Sequence, residues 1–80
     1  MGKSIHSPEH LVLRELLVDA RKKAGLTQDE VAQRLGRPQS FVAKYEGGER
    51  RLDVIELIDV AQALGADPLR LFRELMRSRS

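Results

Sequence analysis

The stretch Leu26-Thr-Gln-Asp-Glu-Val-Ala-Gln-Arg-Leu-Gly-Arg-Pro-Gln-Ser-Phe-Val-Ala-Lys-Tyr-Glu46 decides the fold. Thr27 can cap a helix, and Glu30 completes a T-x-x-E capping box: the hydroxyl accepts from the Glu30 amide and the carboxylate accepts from the Thr27 amide. Leu26 and Val31 form the matching apolar staple. Val31, Ala32 and Leu35 recur at helical spacing. Gly36 stands where a chain leaving a helix often takes positive φ. Pro38 cannot continue a helix and biases Arg37 away from helical angles. A second helix is expected from about Gln39, with Val42 and Tyr45 pointing inward. Helices joined by so short a corner cross steeply, so Ala32 and Gly36 are expected at the crossing, where large side chains would hold the helices apart.

The same signals recur on both sides. Ser7-Pro8-Glu9 reads as cap, first helical residue and early acid. Leu13, Leu16, Leu17, Ala20 and Ala24 then keep the rhythm of an amphipathic helix that ends at Gly25. Arg21-Lys22-Lys23 falls in its last turn, where cations suit the helix dipole. Gly47-Gly48 stops the helix begun at Gln39. Asp53-x-x-Glu56, with Leu52 and Leu57, repeats the box and staple. Ile55, Ile58, Ala61, Ala63 and Leu64 supply the apolar residues of a fourth helix ending at Gly65. Asp67-Pro68 opens a fifth, with Leu71, Phe72 and Leu75 apolar. Five helices, short links and no strand pattern predict an all-α fold, a single domain over residues 1–80 with an ordered core of about 8–77. Residues 1–6 carry no pattern.

Eighty residues allow a small core, and with aromatics limited to Phe41, Tyr45 and Phe72 that core is expected to be aliphatic. There is no cysteine, hence no disulfide or thiolate chemistry. The longest apolar run is too short to span a bilayer, and no secretory h-region opens the sequence, so a cytoplasmic protein without membrane partners is expected. Catalysis has little to work with: no phosphate loop, nucleophile elbow or paired acids stand out, so no enzyme and no cofactor are expected. His6 and His10 have a metal-pair spacing, but Pro8 interrupts the helix that would align them, and no metal site is expected. The net charge is only +2, yet residues 34–51 hold a net +3 in Arg34, Arg37, Lys44, Arg50 and Arg51 against Glu46 and Glu49. That surplus fits a phosphate-facing surface or an unbalanced solvated face.

The pattern resembles the helix-turn-helix of the phage repressor and Cro type, the XRE family. The likeness runs from Arg21 to about Leu75 and includes Gly25-Leu-Thr-Gln28, Val31-Ala32, Gly36, Val42, Glu46-Gly-Gly48 and Ala63-Leu-Gly65, with the helix-turn-helix itself at 27–46. It implies a compact five-helix repressor-like domain. It also implies a sequence-specific regulator of transcription, most simply a repressor, binding a pseudo-palindromic operator in double-stranded DNA as a homodimer. The small stand-alone members it resembles are Cro-like repressors, restriction–modification controllers and antitoxin-type regulators, so a protein partner such as a toxin stays open. The alternative is a protein-interaction or antitoxin-type adaptor module on the same fold.

Residues at the start of a recognition helix enter the major groove, which assigns base contacts to Gln39, Ser40 and Lys44. Gln suits adenine, Lys suits guanine and Ser is tolerant. The resemblance assigns a phosphate to Gln28, with Thr27 as its neighbour; charge and position add Arg37, Arg50 and Arg51. It further implies a structural ion pair between Arg21 and Glu46, where the bland reading is two separate surface charges. Pro38 departs from the family, in which Ser or Thr commonly caps the third helix. Phe41 can meet a thymine methyl or pack inward, and packing is the preferred reading. Leu71, Phe72, Leu75 and Met76 crowd the last helix. Part of this set must close the core and the remainder is assigned to a dimer interface; the competing arrangement makes all four core and pairs the subunits on DNA through residues 47–51.

Overall fold

The computed structural model describes residues 7–79, which form α1 (Pro8–Lys23), α2 (Gln28–Leu35), α3 (Gln39–Glu46), α4 (Val54–Ala63) and α5 (Pro68–Arg77), with no strand among them. Residues 1–6, including His6, lie outside the described residues.

Local chemistry sets the boundaries. The Ser7 hydroxyl accepts from the His10 amide at 3.2 Å. Thr27 and Glu30 close their box with bonds of 3.1 and 2.9 Å, and Asp53 and Glu56 close theirs at 2.7 and 3.0 Å. Asp67 accepts from the Leu69 amide at 3.0 Å. Only α3 starts without a side-chain cap, because Pro38 occupies the position. After α2, the Gly36 amide donates to the Gln33 carbonyl at 3.2 Å and the Arg37 amide to the Ala32 carbonyl at 3.0 Å, with Gly36 at φ 69°. This paired closure needs the left-handed region, which glycine enters without strain. The same two bonds end α1 at Gly25-Leu26 and α4 at Gly65-Ala66.

Helices α2 and α3 pack on each other, α1 lies against α3 and α5, and α4 against α2 and α5. Every helix contributes to one core: Leu17 from α1, Val31 and Ala32 from α2, Phe41, Val42 and Tyr45 from α3, Val60 and Ala61 from α4 with Leu64 at its C-cap, and Leu71 from α5. Fully burying a side chain of the size of Leu17 or Val60 contributes about 1.5–3 kcal/mol. With only eight residues each, α2 and α3 depend on that packing.

Three expectations need correction. The core is not purely aliphatic: Phe41 and Tyr45 are buried edge to face, with centroids 5.5 Å apart and planes at 74°. Two rings fill volume at the α3 seam that more aliphatic residues would otherwise have to supply. In α4, Ile55 is 66% exposed and Ile58 36%. The inward stripe is Leu57, Val60, Ala61 and Leu64, spaced three and four apart, and Ile55 and Ile58 fall out of its phase. Ala32 does sit buried between helices, but a Cβ on Gly36 would meet nothing within 4 Å. Glycine at 36 therefore serves the backbone angle and not the closeness of the crossing.

Gly36→Ala is accordingly expected to destabilise the protein by about 1–2 kcal/mol through the left-handed penalty alone, and Gly36→Asn by less, since Asn tolerates that region. Urea melts of the two variants beside the parent measure the difference; equal midpoints for Ala and parent would remove the conformational role.

Candidate nucleic-acid interface

Glu46, the last residue of α3, is the meeting point of three helices. Arg21 of α1 grips its carboxylate with two bonds, Nε to Oε2 at 2.8 Å and Nη2 to Oε1 at 3.2 Å. The third Arg21 nitrogen used, Nη1, donates to the Leu26 carbonyl at 2.9 Å, in the link to α2. The side chains of Arg21 and Glu46 are 14% and 6% exposed, so the pair is largely covered. Hydrogen bonding to Glu46 holds the Arg21 guanidinium above its ordinary pKa.

The carboxylate also orders a chain of amides. An ionised carboxylate can only accept, so Gln28 turns its Nε2 toward Glu46 Oε1 at 2.8 Å. The Gln28 carbonyl oxygen then faces away and accepts from Nε2 of Gln39 at 2.8 Å. Gln39, the first residue of α3, is exposed and keeps its own Oε1 and one Nε2 hydrogen beyond that bond. Gln39, Ser40 and Lys44 are all exposed on α3. Thr27 is committed to its capping box.

A second cluster lies along the Phe41 edge of α3. The Phe41 ring is 8% exposed and packs inward, as preferred from sequence. The Arg37 and Arg50 guanidinium carbons stand 4.4 and 4.7 Å from its centroid. Arg50 holds Glu56 with bonds of 3.0 and 2.9 Å, and Arg37 reaches the same carboxylate at 3.5 Å. Arg50, the Asp53 amide and the charge of Arg37 together hold the Glu56 pKa down to about 2. Arg50 also donates to the carbonyl of Arg51, whose side chain is exposed. Two arginines assigned to phosphate thus share an intramolecular partner.

A helix-turn-helix family model matches residues 17–71. An XRE-family-like protein from Pseudomonas syringae pv. tomato is 50% identical, covering 95% of this chain and 93% of its own, with a TM-score of 0.89. The chain belongs to the XRE-type helix-turn-helix family. Proteins of this family are DNA-binding regulators of transcription. A helix-turn-helix-type transcriptional regulator of Sinorhizobium fredii is 43% identical over 51 residues, 64% of this chain; the match spans just under two thirds, 66%, of that relative. A restriction–modification controller solved as a tetramer with its natural 35 base-pair operator shares the fold at a TM-score of 0.80 and 18% identity, covering 90% of this chain and 95% of its own.

Within this XRE-type domain, one contributor escaped the sequence reading. Arg14 donates from Nε to the Glu46 main-chain carbonyl at 3.3 Å, capping the end of α3. A Cβ on Gly48 would come within 2.7 Å of the Arg14 guanidinium, so glycine there leaves room for the side chain. Arg14 and Arg21 are seven apart and share a face of α1, a spacing that could have flagged both. At the other end, Leu71 is 8% exposed and belongs to the monomer core, whereas Phe72 and Met76 are 54% and 51% exposed. Leu75 is half-buried.

Removing one partner of a desolvated pair leaves an uncompensated charge. Arg21→Met and Glu46→Gln are each expected to lower stability by about 3–5 kcal/mol, read from denaturant melts. The contribution of Glu56 depends on pH. A depressed folded pKa means that its stabilisation is complete above about pH 4.3 and fades as pH falls toward about 2. The gap in melting midpoint between parent and Glu56→Gln should be widest near neutral pH and close across that window.

Proposed function

We propose that this XRE-type regulator binds a pseudo-palindromic operator in double-stranded DNA as a homodimer, with α3 in the major groove, and acts as a repressor. The observation that carries the reading is the orientation of Gln39. Because Glu46 can only accept, Gln28 and then Gln39 are turned so that exposed Gln39 keeps one acceptor and one donor available for a base edge. Adenine presents N6–H and N7 in the major groove, the complement of that pair. Ser40 and Lys44 stand on the same helix, within reach of neighbouring bases. Gln28, Thr27, Arg37 and Arg51 are assigned to the backbone phosphates, whereas Arg50 is held by Glu56. No catalytic step, metal or cofactor is part of this reading. An operator complex of a controller with the same fold agrees with it.

For the dimer, Leu69, Phe72 and Met76 recur at three- and four-residue spacing along α5 and are 69%, 54% and 51% exposed. With Leu71 committed to the core, this stripe and half-buried Leu75 are the surface offered to a second copy. A two-fold pairing there sets two α3 helices into successive major grooves, roughly 34–36 Å apart.

Two measurements check the reading. Gln39→Ala should lose about 1–3 kcal/mol at a single base pair and relax preference there; a variant that ranks all operator sequences as the parent does would show the register to be wrong. In sedimentation at micromolar concentration the parent should run as a dimer and Met76→Glu as a monomer. A parent monomeric without DNA would remove the α5 interface.

A further inference from the structure

A helix in the major groove runs between two sugar–phosphate walls, and its register depends on backbone contacts along both flanks. One flank of α3 is bordered by the start of α2, where Gln28 meets Gln39. The opposite flank is bordered by Phe41, which is three residues from Lys44 and therefore its neighbour on the helix surface. On this second flank two guanidinium groups lie against one ring and share one carboxylate, so the cluster carries a single net positive charge.

The two arginines are held unequally. Arg50 makes a two-pronged contact with Glu56 and a third bond to the Arg51 carbonyl. Arg37 makes one contact of 3.5 Å and its side chain is 43% exposed, against 15% for Glu56. Guanidinium binds carboxylate and phosphate through the same planar fork. A phosphate approaching this flank can therefore take Arg37 from Glu56 while the ring keeps the guanidinium in place.

The capping duty of Glu56 does not account for its charge. Its bond from the Asp53 amide is one that glutamine makes equally well in a capping box. A neutral amide could not balance two cations.

We propose that Glu56 is a positioning residue that sets the charge of this DNA-facing flank. It fixes Arg50 as a strut and lends Arg37 to one backbone phosphate. Of the two arginines, Arg37 makes the phosphate contact and Arg50 is neutralised from within. The inference rests on the DNA-binding reading above and deepens it.

The test is the salt dependence of binding to a random-sequence duplex, for the parent, Glu56→Gln, Arg37→Ala and Arg50→Ala. Each neutralised phosphate contributes about 0.9 to the slope of log K against log salt. Glu56→Gln releases Arg50 for a second phosphate, so its slope should steepen by about 0.9, an extra loss of about 3.5-fold per fourfold rise in salt. Arg37→Ala should flatten the slope by about the same amount, and Arg50→Ala should leave it near the parental value. Glu15→Gln, the same charge change on an exposed position of α1, reports the effect of overall charge. A Glu56→Gln slope equal to that of the parent or of Glu15→Gln overturns the proposal and reduces Glu56 to a cap. Should Glu56→Gln fail to fold, Arg37→Ala still decides, because an unchanged slope there overturns the assignment by itself. A parent with no salt-dependent affinity for duplex overturns the DNA-binding reading, and this inference with it.

Discussion

The Glu46 carboxylate is the interaction on which the rest of the domain depends. It ends α3, receives Arg21 from α1 and receives Gln28 from α2, while Arg14 takes the carbonyl of the same residue. Neither α2 nor α3 is long enough to persist alone. A largely covered carboxylate that accepts three hydrogen bonds fixes how these helices sit more sharply than apolar contact can, because each bond has a length and a direction. The interaction is conditional: it holds the helices only while every partner is present, and it turns costly when one is removed.

Geometry passes from that site to the surface by donor and acceptor logic. The carboxylate dictates the orientation of the Gln28 amide, and Gln28 dictates that of Gln39. An exposed glutamine would otherwise sample many rotamers and both faces of its amide. Here the bond to Gln28 removes part of that entropy during folding, which is how a polar group is pre-organised. The ion pair that joins the helices is thus also the origin of the hydrogen-bond pattern presented at the start of α3.

Elements with a local cause were legible in the sequence. Capping boxes at Thr27 and Asp53, the prolines at 8 and 68 and the glycines at helix ends each act within a few residues, so their positions set the helix bounds directly. The Arg21–Glu46 pair was legible only through a family likeness, since 25 residues separate the partners. What stayed hidden depends on tertiary phase. Ile55 and Ile58 have core chemistry, but the neighbours of α4 lie on the side of Val60 and Leu64. The Arg14 contact carries no signal of its own because its partner is a main-chain carbonyl, which has no signature in sequence. The purpose of Gly36 is ambiguous in sequence because a tight crossing and a left-handed angle ask for the same residue; the open space around its Cβ position separates them.

Charge shows the same limit most clearly. Counting side chains gave residues 34–51 a surplus of three positive charges, the apparent footprint of a phosphate-facing surface. Folding redistributes that surplus. Glu56, outside the counted segment, reaches back to neutralise Arg50 and to share Arg37. Arg34 turns toward α4 and donates to the Ala63 carbonyl at 2.8 Å, near the end of that helix, where a cation meets the negative end of the dipole. Glu46, counted against the surplus, is already consumed by Arg21 from α1. The field that a polyanion meets is therefore not the sum over the segment. It is concentrated where an arginine is weakly held and where Lys44 stands exposed, beside the helix face that carries Gln39 and Ser40. A small domain that spent all its cations on phosphates would bind any duplex. Tying cations into a fold leaves fewer of them for indiscriminate attraction, which in general gives base contacts a larger share of the binding free energy.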